Sequence, residues 1–599
     1  MGSLFRPLVF FLAPYRWQVV GISTLFLLLS VIDLLGVGLI APFVAVILNP
    51  EALSGEIFGI ALPDWLVGGN YGVWLAAGIV MAFVLKGVSG VFVQWMILGF
   101  VTRFRARQIK SLMDGYLSQP YQFFLMRNSS TLIQTILVNS KIFSDDLLLP
   151  LFRMFAELAV ALVLTILLLS IAPLFFLSLI ACMVLAGAIY VVVISRQTRQ
   201  AGQKVTLAQE QLVRGVTQGI GGIKEIRTLG VEVGFSDYVA HAGVRLGVNQ
   251  RRFYTFSVIP KYLMEMVAVG FVVALVGFYI ATNRDPSELL PVIATFAVAG
   301  LRLMPAFSQT FSSLNSIGYS RFATDQLYED LKAFDGGPAP FKTVAERAAP
   351  PAGFSQIRLR HVSFTYNGAD NEIVPFGPVS LTIPKGSVLG LVGPSGAGKT
   401  TLANLVLNLL QPSQGQVEIV QADGQILDAA TARSLFAYIP QEQFLLDDTI
   451  EKNITLDWSG APVDTARLQR ALDLADFQRV VAKLPEGLTT SSGERGTRLS
   501  GGERQRLSIA RALYHNRQVL VMDEVTSALD EETERGIVAS FERLRNEGLT
   551  LIMIAHRHST LRICDSIVRM ENGQIVQQGS FEAVLGAAGP APQLEEPNP

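Results

Sequence analysis

The chain has 599 residues and a formal net charge of −1; 50% of its residues are hydrophobic and 16% are charged. The near-zero net charge gives no electrostatic case for a nucleic-acid partner, and a charged fraction below the roughly 25% of soluble domains argues against a wholly soluble protein. Because Cys182 and Cys564 lie far apart in unlike contexts, neither a disulfide nor a cysteine metal site is expected.

The apolar residues are concentrated before about residue 320, where six stretches are predicted to cross a bilayer as helices of about 20 residues. These stretches are Val19–Ile47, Val73–Phe100, Leu149–Leu169, Leu174–Ile194, Met264–Ile280 and Leu289–Leu303. The loops after the second and fourth stretches are rich in Lys and Arg, whereas the loop after the first has neither. The basic loops and the N-terminus are therefore predicted to be cytoplasmic.

The two basic loops have apolar residues at helical spacing, so the membrane helices are expected to continue beyond the bilayer. Each loop contains a break, at Gln119-Pro120-Tyr121 and over residues 219–222, and each break predicts a short transverse helix. The composition then divides the chain into a transmembrane domain over residues 1–334, a Pro- and Ala-rich linker over 335–353, a soluble α/β domain over 354–586, and a tail over 587–599 that is expected to be disordered.

The soluble domain contains a phosphate-binding loop between a buried strand, Val388–Val392, and a helix that opens at Lys399. Glycines let backbone N–H groups approach phosphates, and the helix N-terminus favours negative charge. Lys399 is expected to reach the β- and γ-phosphates of ATP, and Thr400 to bind Mg²⁺. The predicted nucleotide-binding residues of this loop are Gly393, Pro394, Ser395, Gly396, Ala397, Gly398, Lys399, Thr400 and Thr401.

A second apolar strand ends in Asp523-Glu524. Asp523 is predicted to organise the Mg²⁺ shell, and Glu524 is the best candidate to position and deprotonate the attacking water. His556 follows another apolar strand; a lone histidine in that position is more often structural. Tyr366 could equally be an ordinary strand tyrosine.

The phosphate-binding loop is followed in order by Tyr438-Ile439-Pro440-Gln441, Leu499-Ser500-Gly501-Gly502-Glu503, Asp523-Glu524 and His556. This series resembles the ATP-binding cassette proteins. The resemblance implies that Glu524 is the catalytic glutamate, that His556 contacts the γ-phosphate, that Gln441 senses Mg²⁺ and the γ-phosphate, and that Tyr366 stacks on adenine. It also implies that Ser500, Gly501 and Gly502 cap an ATP bound by a second subunit, so one phosphate-binding loop per chain predicts a homodimer with two sites.

The segment Ser492-Gly493-Glu494-Arg495-Gly496 resembles a short motif of ATP-binding cassette exporters. The resemblance implies a membrane all-α domain of six long transmembrane helices, the type IV exporter fold, joined to an α/β P-loop ATPase cassette. The short transverse helices would then touch a cassette. An integral protein of the bacterial inner membrane, with cassette and N-terminus in the cytoplasm, is expected.

Charged residues inside a membrane are costly and are therefore candidates for function. Arg302, Lys86 and Lys261 are the candidate substrate residues, although Lys86 could instead pair with Asp33, and Lys261 with Glu265. The segments Asp33 to Pro42, Gly221 to Ile226 and Leu301 to Pro305 resemble bacterial lipid-linked oligosaccharide flippases. The resemblance implies flipping of a polyprenyl-pyrophosphate glycan; export of another lipid, a hydrophobic peptide or a drug is the alternative, and a cassette that regulates a channel is a third.

Overall fold

The computed structural model describes residues 2–38, 56–57, 60–61, 71–171, 173–281, 286–334, 354–367, 373–526 and 530–586. The linker and tail predicted over 335–353 and 587–599 lie outside these residues. The chain forms two compact units, Met1–Gln119 with Arg127–Pro340 and Pro120–Met126 with Phe341–Pro599.

The first unit is helical. Its helices are Gly2–Leu12, Arg16–Gly38, Tyr71–Leu117, Ser129–Gln134, Ser140–Ile142, Leu149–Ile171, Pro173–Gly221, Ile223–Leu229, Glu232–Ala281 and Pro286–Phe334. A 3₁₀ turn, Ala13–Tyr15, follows the first helix, and π-helical turns over Thr135–Asn139 and Phe143–Leu148 link the segments between 129 and 171. Strands β1 (Glu56–Ile57) and β2 (Ile60–Ala61) pair antiparallel.

Five helices of the described residues are long and apolar enough to cross a membrane. They contain the first five predicted spans, except that residues 39–47 of the first span lie outside the described chain. The sixth predicted span falls in helix Pro286–Phe334. Helix Tyr71–Leu117 has 47 residues, so at about 1.5 Å per residue it is about 70 Å long, more than twice the hydrocarbon thickness of about 30 Å. The predicted continuation of the helices beyond the bilayer is confirmed.

Both predicted breaks are confirmed. The helix that ends at Leu117 is followed by a short helix, Tyr121–Met126, which belongs to the second unit. The helix that ends at Gly221 is followed by a short helix, Ile223–Leu229. Gly230 ends this short helix and has the left-handed conformation, with φ of +66°. A residue without a side chain adopts this conformation at no steric cost.

The helices of the first unit meet through apolar and polar contacts. Buried residues that pack together near the apolar spans are Val160, Leu164, Phe176, Leu179, Met183, Met264, Leu275 and Leu303. Farther along, Thr198 Oγ1 donates to Asn315 Oδ1 at 2.5 Å, and Asn315 Nδ2 donates to Ser257 Oγ at 2.8 Å. This chain of hydrogen bonds ties the fourth, fifth and sixth long helices together.

The second unit contains two sheets. An antiparallel sheet has the order β4 (Ile373–Pro384), β3 (Phe354–Asn367), β6 (Gln414–Gln421). The other sheet has the order β11-β10-β5-β9-β8-β7, and all its neighbours are parallel except β10 and β11. Its strands are β5 (Val388–Val392), β7 (Phe436–Ile439), β8 (Val519–Asp523), β9 (Thr550–Ile554), β10 (Ser566–Glu571) and β11 (Gln574–Gly579).

The parallel strands are buried on both faces. Val388 belongs to one apolar core and Leu389 to the other, and Leu520 and Val521 of β8 divide in the same way, because successive side chains of a strand point to opposite faces. Besides Tyr121–Met126, the described α-helices of this unit are Lys399–Val406, Ala429–Arg433, Ile450–Thr455, Thr465–Leu474, Gln478–Val481, Gly501–Tyr514, Glu531–Asn546, His558–Leu561 and Phe581–Leu585. The sheet order places the carboxyl ends of β5, β9, β8 and β7 side by side, where ligands of open α/β sheets bind.

Candidate ATP site

The phosphate-binding loop follows β5. Gly393, Gly396 and Gly398 have φ of +149°, +79° and +95°, which other residues rarely adopt. At Gly393 a Cβ atom would lie 2.2 Å from the Met570 carbonyl oxygen, so the backbone approach there requires glycine. The loop therefore turns sharply into helix Lys399–Val406, with its N–H groups at the helix N-terminus.

Lys399 is buried, with 7% of its surface exposed, and its ammonium group donates to the carbonyl oxygens of Gly393 at 2.8 Å and Pro394 at 2.9 Å. Its charge is thus held inside the loop. Thr400 is exposed, whereas the Thr401 hydroxyl lies 3.2 Å from the Tyr366 hydroxyl. An exposed hydroxyl, a held cation and a helix N-terminus form an arrangement that fits a polyphosphate.

Asp523 lies at the end of β8, two strands from the phosphate-binding loop. Burial raises the pKa of its carboxyl group above the usual value, whereas the hydrogen bond from Tyr438 and the positive charge of Lys399 act in the opposite direction. The Tyr438 hydroxyl donates to Asp523 Oδ2 at 3.2 Å. Burial and the nearby carboxylate raise the pKa of Tyr438, so its hydroxyl remains a donor. A half-buried carboxylate beside the loop fits the oxygen donors that Mg²⁺ prefers.

Glu524 joins two other predicted residues. Its Oε1 atom lies 3.1 Å from His556 Nε2, and its Oε2 atom accepts from Gln441 Nε2 at 3.2 Å. Glu524 has φ of +47°, an unfavourable backbone conformation for a residue with a side chain, of the kind that clusters at functional sites. The turn directs its carboxylate across the ends of β9 and β7, and its N–H donates to the Ile554 carbonyl at 2.9 Å.

Ser500 begins helix Gly501–Tyr514 and caps it. Its hydroxyl accepts from the Glu503 N–H at 3.3 Å, and its own N–H donates to Glu503 Oε2 at 2.8 Å. Within the described residues, no hydrogen bond joins Ser500, Gly501 or Gly502 to the phosphate-binding loop of the same chain. The structure therefore brings the phosphate-binding loop, Asp523, Glu524, His556 and Gln441 together at one sheet edge. Residues 499–503, here called the signature segment, lie at the start of a separate helix.

Two polar residues were missed by the sequence reasoning. Tyr438 lies three residues before Gln441 but was given no role. Strand alternation places its side chain on the face opposite to that of its neighbour Ile439. Glu534 is buried and accepts hydrogen bonds from Arg557 and Ser559, which follow His556. No sequence signal pairs an acid in helix Glu531–Asn546 with this loop.

Two of the three candidate substrate residues of the first unit have described side chains, and each lies near an aromatic ring. Lys86 lies 5.4 Å from the centre of the Phe83 ring, and Lys261 lies 5.9 Å from that of Tyr262. In the described part of the chain, Lys261 makes no ion pair with Glu265, the partner considered for it. The side chains of Arg302 and Asp33 lie outside the described residues.

A parallel sheet with a phosphate-binding loop, joined in one chain to long apolar helices of membrane-spanning length, defines an ATP-driven membrane transporter. Residues 25–299 match the family model of the ABC transporter transmembrane region, and residues 376–527 match that of the ABC transporter. The chain is 30% identical over 520 residues to the ATP-dependent lipid A-core flippase of Saccharophagus degradans, covering 85% of this chain and 84% of the relative.

The flippase of the same name from Bordetella pertussis is 30% identical over 580 residues, covering 94% of this chain and 88% of the relative. The solved structure of a bacterial Atm1-family ABC exporter with ATP bound superposes with a TM-score of 0.75 at 23% identity, over 96% of this chain and 97% of that one. The chain belongs to the ATP-binding cassette transporter family: it is an ATP-hydrolysing half-transporter of the exporter type and an integral membrane protein.

Proposed function

We propose that two copies of this chain form a transporter that hydrolyses Mg²⁺-ATP to flip a phosphorylated glycolipid across a bacterial inner membrane. The observation that carries the ATPase half of the proposal is the cluster of Glu524, His556 and Gln441 beside the phosphate-binding loop. Lys399 would hold the β- and γ-phosphates, residues 393–401 would supply backbone donors, and Tyr366 would stack on adenine. Thr400, Gln441 and Asp523 would hold Mg²⁺, which neutralises phosphate charge when bound.

Glu524 would act as the general base. Its carboxylate is half-buried and held from two sides, by Gln441 at 3.2 Å and His556 at 3.1 Å, so it is oriented before a water molecule is placed. His556 would then contact the γ-phosphate through its exposed ring. Glutamine has the shape of Glu524: its oxygen can accept from Gln441 Nε2 and its NH₂ group can donate to His556 Nε2 in the other tautomer, but it cannot act as a base. Such a variant is expected to lose ATP hydrolysis by about 10²–10⁴-fold while retaining ATP binding.

The signature segment supports a homodimer. Ser500 caps a helix N-terminus, which favours an anion, and in one chain this end makes no hydrogen bond to the described phosphate-binding loop. A second copy placed head to tail would supply the phosphates. A variant that lacks Cys182 and Cys564 and carries Ser395→Cys with Ser500→Cys tests this arrangement. ATP is expected to promote a disulfide between two chains, seen as a doubled mass; a disulfide within one chain would contradict the arrangement.

The substrate proposal rests on cations in the membrane half and on the relatives. Lys86 and Arg302 each lie 13 residues, about 20 Å along a helix, from the outer ends of their predicted spans, which places both in the cytoplasmic half of a hydrocarbon layer about 30 Å thick. Lys261 lies near the start of the fifth predicted span. Cations at that depth suit the phosphates of a lipid in the inner leaflet. A polyprenyl-pyrophosphate glycan fits these charges, and the relatives named lipid A-core flippases favour a second candidate, a lipid A-like glycolipid.

ATPase stimulation separates these candidates. Purified protein in proteoliposomes would receive a polyprenyl-pyrophosphate glycan, a lipid A-core lipid, a hydrophobic peptide or a cationic drug in turn. We expect stimulation by one of the phosphorylated glycolipids, and its loss in Arg302→Gln and Lys86→Gln but not in Lys110→Gln, a cation of the cytoplasmic helix extension. Stimulation by the peptide or drug alone would contradict the lipid proposal. Unchanged stimulation in Arg302→Gln would remove the role of that residue.

A further inference from the structure

A polar cavity lies in the cytoplasmic extension of the membrane helices, beyond the predicted spans that contain Lys86 and Arg302. It has a volume of about 340 Å³ and lies between helices Pro173–Gly221 and Glu232–Ala281. Gln197, Gln200 and Lys204 line it from the first helix, and Asn249 and Arg252 from the second. Spacings of three, four and seven residues place each set on one helix face, so the two polar faces meet across the cavity.

The charged side chains that line this cavity are all positive. Lys204 and Arg252 both line it, and no acidic side chain of the described chain does. Neither cation makes an ion pair or hydrogen bond within the described residues, whereas Arg214 and Arg245, on the same two helices, bind Glu210 and Gln211. Two like charges in one concave site repel each other, and an anion bound between them relieves that repulsion.

The remaining lining suits hydroxyl groups and a ring. Asn249 Nδ2 donates to the Arg245 carbonyl at 2.7 Å, which leaves its Oδ1 atom as an acceptor. Gln197 and Gln200 each offer a donor and an acceptor. Phe256 and Ala201 add an apolar surface of the kind that packs against a sugar face. Cations, amides and one aromatic ring together match a phosphorylated sugar better than a bare inorganic anion.

The position of the cavity places it within reach of the membrane surface. Lys204 lies ten residues beyond Ile194, the end of the fourth predicted span, which is about 15 Å along a helix. The headgroup region extends about 5–8 Å beyond the hydrocarbon. A lipid whose polar part is a phosphorylated glycan extends farther than an ordinary phospholipid, so its outer phosphates can reach Lys204 and Arg252.

We propose that Lys204 and Arg252, with Gln197, Gln200 and Asn249, form an anion site for a phosphate-bearing sugar, either free or carried by a lipid in the inner leaflet. The site goes beyond the proposed function, because binding there requires neither ATP hydrolysis nor flipping. Each charge-assisted contact is expected to contribute about tenfold in affinity, so removal of both cations should weaken binding by about 100-fold.

The test uses the full-length protein with Lys399→Ala, so that the phosphate-binding loop does not take up the probe. In one arm, glucose 1-phosphate is titrated by calorimetry into detergent-solubilised protein. In the other arm, native mass spectrometry counts the molecules of a lipid A-core lipid with phosphorylated core sugars that are bound per chain, with phosphatidylcholine as the neutral comparison. Each arm compares the parent with Lys204→Gln/Arg252→Gln, with the charge-preserving Lys204→Arg, and with Arg251→Gln, an exposed neighbour outside the cavity.

Saturable binding in either arm that falls about 100-fold in the double variant, and that Lys204→Arg and Arg251→Gln retain, supports the site; the arm that shows it identifies a free or a lipid-borne ligand. Higher salt should weaken the binding. Equal binding in the double variant and the parent, or binding in neither arm, overturns the site. A double variant that no longer dimerises but still binds the anion also overturns the site, because Lys204 and Arg252 would then contact a second subunit rather than the anion. All outcomes are independent of ATP-driven flipping.

Discussion

Replacing Gly202 by alanine is expected to destabilise the membrane unit, because the fourth and sixth long helices cross in contact at this glycine. An added Cβ atom would lie 2.0 Å from the Tyr319 carbonyl oxygen, a backbone atom that no rotamer change can move. Ordinary van der Waals contact begins near 3.4 Å, so the helices must separate by roughly 1.4 Å.

That separation also strains the neighbouring contacts. The Thr198–Asn315 hydrogen bond of 2.5 Å and the stacked rings of Phe253 and Tyr319, with centroids 3.9 Å apart, lie beside the crossing. Overpacking costs about 1–3 kcal/mol and a lost buried hydrogen bond about 1 kcal/mol more, so Gly202→Ala should cost about 2–4 kcal/mol.

Thermal unfolding of the detergent-solubilised protein measures this effect. The matched control is Gly247→Ala, a helical glycine at which an added Cβ atom meets nothing within 4 Å. Alanine is favoured over glycine in a helix by up to about 1 kcal/mol, so the control should unfold at the same temperature or a higher one. A Gly202→Ala protein as stable as its parent would refute the close crossing.

Three further outcomes concern the cassette. Tyr438→Phe removes a hydrogen bond that lowers the pKa of Asp523, so the acidic limb of the ATPase pH profile should move to higher pH. A limb that stays in place, or that moves to lower pH, would contradict the effect of this hydrogen bond on Asp523. Glu534→Gln should lower kcat about tenfold or more with little change in the KM for ATP, because the contacts of Glu534 orient the loop after β9. The control variant Glu542→Gln, at an exposed position, should match the parent. Equal kcat values for Glu534→Gln and the parent would exclude this role. Ser500→Ala should lower the free energy of unfolding of the cassette by about 1 kcal/mol, and Ser500→Asp by much less, in thermal unfolding. Both variants should lose ATPase activity. Loss of stability without loss of ATPase activity would limit the role of this serine to helix capping.

The motif residues could be placed from the sequence because their geometry is local. The phosphate-binding loop needs only a strand, positive-φ glycines and a helix, all adjacent in the chain. The approach of Gln441, Glu524 and His556 depends on the order β5-β9-β8-β7, which no local pattern contains. The order of the motifs along the chain, compared with a known family, supplied that information. The positive φ of Glu524 had no sequence signal, since glutamate rarely adopts it.

The membrane half was predicted in outline for a similar reason. Apolar length gives the spans, and Pro120 and the glycines near 221 mark the breaks. Contacts between distant helices could not be predicted. The Lys204–Arg252 cavity requires a defined register between two helices of 49 and 50 residues. The need for glycine at residue 202 arises from its close contact with Tyr319 on another helix, which the sequence does not reveal.

In the proposed function, ATP hydrolysis at the Glu524 site drives a phosphorylated glycolipid across the bilayer. The most direct measurement places a fluorescent derivative of that lipid in one leaflet of proteoliposomes and follows its protection from an impermeant quencher after addition of Mg²⁺-ATP. We predict ATP-dependent transfer by the parent protein and none above the protein-free rate by Glu524→Gln. Equal transfer by the two proteins, or no transfer by the parent with either class of glycolipid, would contradict the account.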